Sequence, residues 1–242
     1  MNDILVIIPA YNEEANIAGV AERLIREHPG LDYLIVNDGS VDGTQEICRQ
    51  RGFHTLNLPV NLGLAGAFRA GMRYADRRGY RYAVQFDGDG QHRAEYILPM
   101  REKMDEGYDI VIASRFVTEK KPHSARMLGS RLISAALRLA SGARIQDPTS
   151  GMRMYNRRMI ELFSDHINYP PEPDTLSWLV KNGARVAEIQ AVMDLRVAGV
   201  SYLTPLNAVK YMSRTLLSIL FIQSFRSKDR DRAARRERRE AQ

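Results

Sequence analysis

Short apolar runs alternate with amphipathic stretches through the first half of the chain. The runs are typical of strands buried on both faces, and the stretches between them repeat their apolar residues with the 3.6-residue period of a helix. The predicted strands are 4–8, 33–36, 55–58, 81–86 and 109–113. The predicted helices are 13–27, 44–51, 65–77 and 96–106. This alternation predicts an α/β fold with a mostly parallel sheet flanked by helices.

Beyond residue 115 the pattern becomes less regular. It predicts a helix over 127–140, a glycine-rich turn region over 146–151, a proline-rich loop over 169–173 and a strand over 185–189. We interpret these elements as an elaboration of the same domain, which we place at residues 1–203.

An apolar helix and a basic tail are predicted at the carboxyl end. The helix, 204–225, is too short and too polar to span a bilayer, and its broad apolar face suits the surface of an anionic membrane. The alternative is that this face packs on the core or on a second subunit. The same two readings apply to helix 127–140. Residues 226–242 carry a net +4 of the total +6 and are predicted to be disordered.

Composition limits the class of protein. The 242 residues are 44% hydrophobic and 26% charged, enough for a substantial core. We found neither a signal peptide nor an apolar run of about 20 residues, so we expect a cytoplasmic protein, peripheral on the inner membrane face if the helix binds there. Cys48 is the single cysteine, which excludes an internal disulfide. The basic tail lacks interleaved aromatic residues, so no nucleic-acid partner is expected.

Polar and turn-forming residues follow each of the first four strands. Because parallel strands end at one edge of the sheet, these residues are expected to line a common site. There Asp38 could accept hydrogen bonds from a ribose or a base, and Tyr11 could stack on a base. For Asn12 and Asp42, capping of a helix is an equally good reading. The segments are Pro9–Glu13, Asn37–Ser40, Asn61–Gly63 and Asp87–His92.

Asp87 and Asp89 stand two residues apart where the fourth strand ends. Carboxylates on such a turn suit Mg²⁺ or Mn²⁺ bridging to a diphosphate, although Asp and Gly are also ordinary residues of a solvated turn. The G-x-G-x-x-G, P-loop and EF-hand spacings are not found in the sequence. Neither a dinucleotide-dependent dehydrogenase nor a P-loop kinase is therefore supported.

Six segments of the chain carry a further pattern: 8–17, 36–44, 61–63, 87–92, 114–116 and 147–153. In this order they resemble family 2 glycosyltransferases. The similarity extends over roughly residues 4–201 and is greatest to dolichyl-phosphate mannosyltransferases and bacterial polyprenyl-phosphate sugar transferases. The resemblance implies a GT-A (Rossmann-like) fold, a UDP- or GDP-hexose donor, a divalent cation and inversion at the anomeric carbon. Its donor side would be 1–115 and its acceptor side 116–203.

The resemblance also assigns roles to individual residues. Asp87, Asp89 and Gln91 would hold the Mg²⁺ or Mn²⁺ ion, with Asp89 counted as catalytic. The donor would contact Pro9, Tyr11, Glu13, Asp38, Gly63 and Asp87. One departure is Asn37, where the family usually has an acidic residue.

Arginines after the metal motif suit a phosphate acceptor, because the guanidinium fork matches phosphate oxygens. By resemblance, Arg115 and Arg126 would bind the acceptor phosphate and Arg196 a diphosphate or a mobile loop. Arg153 is a further candidate for substrate binding, and a surface salt bridge is the alternative for each arginine. Glu172, like Asp174, could contact sugar hydroxyls, serve as a base, or cap the helix near residue 175.

Three functions follow from these observations. The first is a metal-dependent inverting transferase that moves a hexose from a nucleotide sugar to a polyprenyl phosphate, an anionic nucleophile that needs no base. The second replaces the lipid by a glycan or another hydroxyl acceptor in cell-surface polysaccharide synthesis. The third is an inactive nucleotide-sugar-binding regulatory subunit. With no transmembrane segment predicted, a membrane-protein partner or a homo-oligomer would strengthen attachment.

Overall fold

A computed structural model describes residues 3–122, 125–167, 169–194 and 205–222. Contacts divide the chain into two compact units. The first comprises Met1–Glu119, Ser150–Pro171 and Arg185–Val200, and the second comprises Lys120–Thr149, Glu172–Ala184 and Ser201–Gln242.

The described strands form one seven-stranded sheet in the first unit, with the order β3-β2-β1-β4-β6-β5-β7. β6 is antiparallel to β4 and β5, and the other pairs are parallel. The mostly parallel sheet predicted from the sequence is confirmed. The strands are β1 (Ile4–Ala10), β2 (Asp32–Asn37), β3 (Thr55–Asn57), β4 (Tyr82–Gln85), β5 (Ile110–Ser114), β6 (Arg153–Asn156) and β7 (Val186–Gln190).

Helices cover both faces of this sheet. Alternate residues of β1 point to opposite sides: Val6 and Ile8 pack with α1, α2 and α4, whereas Ile7 lies against α3. On the α3 side, Phe68, Tyr155 and Phe163 pack edge to face or tilted, with centroids 5.1–5.5 Å apart. The helices of this unit are α1 (Ile17–Glu27), α2 (Thr44–Gln50), α3 (Gly63–Arg77), α4 (Ile97–Asp105) and α6 (Arg157–Glu161).

Strand β6 was not predicted. Its four residues follow the glycine-rich turn directly, and in the sequence they are too few to show a period. In the fold they are buried or nearly so, because β6 fills the space between β4 and β5. The pairing places Arg153 opposite Gln85 at the end of β4.

Helices make up most of the described residues of the second unit. It contains α5 (Ala125–Ser141), α7 (Pro173–Lys181) and α8 (Pro205–Leu217), and α8 continues as a π-helical turn, Ser218–Ile222. Ile133 and Ala136 of α5 pack against Ile219, so one face of each helix is buried. Within the residues described, no helix is both long and apolar enough to pass through a membrane. The basic tail 226–242 lies outside the described residues.

Candidate active site

The site lies where the strand order reverses. β1 has β2 on one side and β4 on the other, so the loops after β1 and β4 separate at a crevice, the usual ligand position in such sheets. The two loops nevertheless come into contact at one point, at Gly88. A side chain added at Gly88 would place its Cβ 3.2 Å from the carbonyl oxygen of Pro9. The glycine thus lets the metal-motif turn sit against the end of β1.

Hydrogen bonds join the loops after β1 and β2. Asn12 takes a left-handed conformation (φ 55°), and its Oδ1 accepts the N–H of Val41 at 3.0 Å. Glu14 Oε2 accepts the N–H of Gly43 at 2.7 Å. Asp42 accepts from Thr44 and from Glu14, which supports its reading as a capping residue. Asn12 instead connects two loops, so its helix-capping reading is wrong.

The predicted donor residues gather around this junction. Glu13 is half-buried and its Oε2 accepts from Asn16 at 2.7 Å, while Tyr11 is half-buried next to it. Asp38 is only 3% exposed, and its Oδ1 accepts the N–H of Leu62 at 2.8 Å. That contact brings Asp38 next to Gly63, which begins α3 with a φ of +73°. These residues therefore lie in or beside the loops that follow β1 and β2.

The amide of Asn37 explains the departure from the family pattern. Its Nδ2 donates to Asn57 Oδ1 at 2.8 Å, and its Oδ1 accepts the N–H of Ser40 at 3.2 Å. A carboxylate could accept but not donate. Asn37 therefore bridges β2 and β3 and is buried beneath the loop, at 1% exposure.

Asp87 is held on several sides. Gln85 Nε2 donates to Asp87 Oδ1 at 3.3 Å, and the imidazole Nε2 of His92 lies 3.5 Å from Oδ2. The N–H of Asp87 donates to His92 Nδ1 at 2.9 Å, which leaves the proton of a neutral ring on Nε2, facing the carboxylate. Gly151 also lies against this carboxylate, since a Cβ at residue 151 would be 2.5 Å from Asp87 Oδ2. His92 thus has a local hydrogen-bonding role at this turn.

The donor set of the turn suits a hard divalent cation. Asp89 is 7% exposed, and its Oδ1 accepts the N–H of Gln91 at 3.1 Å. Two carboxylates and an amide oxygen are the ligand types that Mg²⁺ and Mn²⁺ favour. Among the described residues, no group of three or more His, Cys, Asp or Glu side chains forms a metal cluster. The ligand role of Gln91, with that of Asp87 and Asp89, stays a prediction.

Asp194 is a residue near the turn that the sequence analysis missed. Arg93 and Arg23 donate hydrogen bonds to its carboxylate. These bonds, of which the one from Arg93 has the largest effect, hold the pKa of the Asp194 carboxyl below its ordinary value. Its place four residues after the end of β7 is the signal in the sequence that points to it, because polar residues after a strand lie at the edge where ligands bind.

The predicted acceptor residues are distributed over both units. Arg115 follows β5, with its guanidinium 5.2 Å from the Phe116 ring centroid. Arg153 is 3% exposed and its Nε donates to Ser150 O at 2.9 Å. In the second unit, Glu172 occupies the position before α7, without a side-chain capping bond within the described part. Arg126 lies on α5 with its side chain undescribed, and Arg196 lies outside the described residues. Their roles stay predictions.

Comparison with known proteins identifies relatives. A family model described as "Glycosyl transferase family 2" matches residues 5–163. Polyprenol monophosphomannose synthase of Mycolicibacterium smegmatis is 32% identical, over 84% of this chain and 82% of the relative. Undecaprenyl-phosphate mannosyltransferase of Micrococcus luteus is also 32% identical, over 82% of this chain and 86% of the relative.

Solved structures share the fold. The chain resembles glucosyl-3-phosphoglycerate synthase from Mycobacterium tuberculosis, crystallised with Mn²⁺, UDP-glucose and phosphoglyceric acid. The TM-score is 0.65 at 22% identity, covering 92% of this chain and 79% of the other. At this identity the likeness is one of fold.

Proposed function

Because the chain belongs to glycosyl transferase family 2, we propose that it transfers a hexose from a UDP- or GDP-linked sugar to a polyprenyl phosphate, with inversion at the anomeric carbon. One observation carries the proposal: Asp87, Asp89 and Gln91 share a turn at the point where the strand order reverses. The named relatives support the lipid acceptor, since both are described as polyprenyl-phosphate or polyprenol mannosyl-transferring enzymes.

The donor nucleoside is assigned to the loops that follow β1 and β2 and to the start of α3. Asp38 is buried with one oxygen fixed by Leu62 N–H, so its carboxylate is preorganised to accept from a ribose or a base. Tyr11 offers an aromatic face beside it. The backbone at Gly63 allows close approach, because nothing lies within 4 Å of a Cβ built there.

The diphosphate is assigned to the turn at the end of β4. Asp87, Asp89 and the Oε1 of Gln91 would hold Mg²⁺ or Mn²⁺. When bound, the ion would supply positive charge that neutralises the negative charge developing on the leaving diphosphate. The solved relative with Mn²⁺ and UDP-glucose supports a divalent ion in this fold.

The acceptor is assigned as a phosphate monoester, which is an anion near neutral pH and needs positioning rather than a base. Arg115, Arg126, Arg153 and Arg196 are the positioning candidates. Glu172 and Asp174 are the alternative bases for a hydroxyl acceptor. Asp174 is engaged within its own unit, since its Oδ1 accepts the N–H of Thr175 and its Oδ2 accepts from Ser218 at 2.7 Å.

A lipid acceptor is consistent with the apolar surface of the second unit. Opposite its buried face, α5 exposes Leu128, Leu132 and Leu139, at 56%, 50% and 81%. Along the last helix, Val209, Leu217 and Phe221 are 63%, 56% and 60% exposed. We propose that these side chains contact the inner face of the membrane, where they would bring the unit to its lipid substrate.

The decisive experiment is a matrix of UDP- and GDP-hexoses against undecaprenyl phosphate in detergent, with Mg²⁺ or Mn²⁺. We expect a sugar-phosphate lipid and released nucleoside diphosphate with one donor, and no product after chelation. Asp89→Ala should lower kcat/KM by at least about a thousandfold, the effect of losing a main electrostatic group.

Two other outcomes would contradict the proposal. Product formed only with hydroxyl acceptors would favour transfer to a glycan. Binding of the nucleotide sugar without turnover, independent of metal, would favour a regulatory subunit. Arg49→Ala is a matched control, since Arg49 makes an exposed ion pair with Glu46 on α2 and should leave the rate unchanged.

A further inference from the structure

Asp194 joins the chain after β7 to the turn that carries Gln91. Arg93 Nε and Nη2 donate to Asp194 Oδ1 at 2.7 and 2.6 Å. Arg23, on α1, donates from Nη1 to Oδ2 at 3.2 Å. Guanidinium groups from two elements therefore fix both oxygens of one carboxylate.

The backbone of Asp194 makes two more bonds, both to Gln91. The N–H of Asp194 donates to Gln91 O at 2.9 Å, and Gln91 Nε2 donates to Asp194 O at 3.3 Å. A carbonyl oxygen can only accept, so it orients the side-chain amide with the NH₂ group towards it. The amide oxygen, Oε1, is then turned away from Asp194.

We propose that Asp194 is a positioning residue for the metal site, which holds Gln91 so that Oε1 is presented to the cation bound by Asp87 and Asp89. The inference rests on the proposed function, because it requires a divalent ion at this turn. Mutation of a group that orients a metal ligand without touching the metal commonly weakens metal affinity by about 10–100-fold.

The Arg93–Asp194 ion pair is too exposed to solvent to contribute much to the stability of the fold. The side chains of Arg93 and Asp194 are 32% and 26% exposed, and pairs this open to solvent contribute little to folding. Loss of the carboxylate should therefore loosen residue 194 and with it the amide of Gln91, while the fold persists. Metal affinity, rather than stability, is the quantity expected to change.

The test measures Mn²⁺ affinity by the EPR signal of free Mn²⁺, with no sugar donor present, on the full chain. We expect Asp194→Ala to weaken Mn²⁺ binding about tenfold. Asp194→Asn, which keeps an oxygen for Arg93 but loses the charge, should weaken it about threefold. Arg93→Ala leaves the bond from Arg23, so it should weaken Mn²⁺ binding by no more than Asp194→Ala does. The double variant should be no worse than Asp194→Ala, because Arg93 acts through the Asp194 carboxylate.

Glu27→Ala is the matched control. Glu27 forms the other ion pair of Arg23, at 3.1 Å, and is similarly solvated. Its removal should leave Mn²⁺ binding unchanged, and urea unfolding should show all variants folded.

The possible results distinguish failure of the positioning role from failure of the proposed metal-dependent function. Wild-type protein that binds no Mn²⁺, either alone or with UDP or GDP added, would overturn the metal site itself. Wild-type binding together with unchanged affinity in Asp194→Ala would overturn the positioning role alone, as would a loss that only parallels unfolding.

Discussion

The space beside the Asp87 carboxylate exists because residue 151 has no side chain. A Cβ at this position would come within 2.5 Å of Asp87 Oδ2 and 3.3 Å of His92 Cε1. Since real Cβ contacts of that length do not occur, Gly151→Ala must displace the carboxylate or the imidazole. We expect kcat/KM to fall about a hundredfold, the usual effect of a ligand misplaced by about 1 Å.

Steady-state kinetics at several Mn²⁺ concentrations would check this prediction. Gly19→Ala is the control, because nothing lies within 4 Å of its Cβ and it sits within helix α1. That variant should keep full activity and gain up to about 1 kcal/mol in stability. Full activity in Gly151→Ala would show that the carboxylate needs no fixed position.

Two substitutions at Asp38 can distinguish its contribution to stability from its contribution to ligand binding. Asp38→Asn keeps an oxygen for the N–H of Leu62 but removes the buried charge. We therefore expect the free energy of unfolding to change by less than about 1 kcal/mol. Affinity for the nucleoside diphosphate should drop about tenfold, equivalent to about 1.4 kcal/mol.

Calorimetric titration with UDP and with GDP measures that affinity, and urea unfolding measures the stability. Asp38→Ala serves as the comparison, since it also removes the acceptor for Leu62 and should be destabilised as well as weakened in binding. Equal affinities of wild type and Asp38→Asn would remove Asp38 from the donor site.

At the scale of elements, the contact between α3 and β1 sets the depth at which the helix lies on the sheet. Gly71 lets the helix approach Ile7, because a Cβ there would fall 2.4 Å from Ile7 Cγ2. Gly71→Ala should destabilise the fold by about 1–3 kcal/mol through overpacking, despite the better helix propensity of alanine.

Urea unfolding of a double-mutant cycle tests whether this contact is the cause. Ile7→Ala removes the opposing methyl groups, so the double variant should be less destabilised than the sum of the two single changes. Strict additivity of the two changes would place the strain elsewhere on α3.

The boundaries of most predicted elements lie close to the observed ones, and α1 is the main exception. α1 begins at Ile17 rather than at residue 13, after a turn in which the N–H groups of Asn16 and Ile17 both donate to Glu13 O. Glu13 is bound to the neighbouring loop, where its N–H donates to Thr44 Oγ1 at 2.8 Å. The two residues are 31 positions apart, so the local pattern around Glu13 gives no sign of this bond.

For the molecule as a whole, we expect the second unit to bind anionic membranes. Leu132→Ser/Leu139→Ser/Phe221→Ser removes exposed apolar side chains without opening the core formed by Ile133 and Ile219. Full burial of one large apolar side chain is worth about 1.5–3 kcal/mol. Even with each of the three only partly buried, their loss should lower partition to vesicles about tenfold.

Cosedimentation with phosphatidylcholine vesicles, with and without phosphatidylglycerol, measures this partition. Leu98→Ser is the control, since Leu98 on α4 of the first unit is 52% exposed. Unchanged vesicle binding of the triple variant, together with a change in sedimentation from dimer to monomer, would assign the surface to a second copy of the chain.

The sequence alone determined the alternating strands and helices, the polar strand ends and the family, because each is written in local periods and short motifs. Tertiary structure decided how those parts meet. Strand β6 is inserted antiparallel between β4 and β5, which places Arg153 opposite Gln85. Gly151 then lies against Asp87, a contact visible only once the chain is folded.

The bond from Gln91 to Asp194 shows the same limit most clearly. The two residues are 103 positions apart, and no local pattern relates them. A side chain's type can be read from its neighbours in sequence, which is how the carboxylates of the turn were found. Its orientation depends on donors and acceptors brought by distant segments, because hydrogen bonds act only over about 3 Å. The ligands were therefore predictable, and the groups that position them were not.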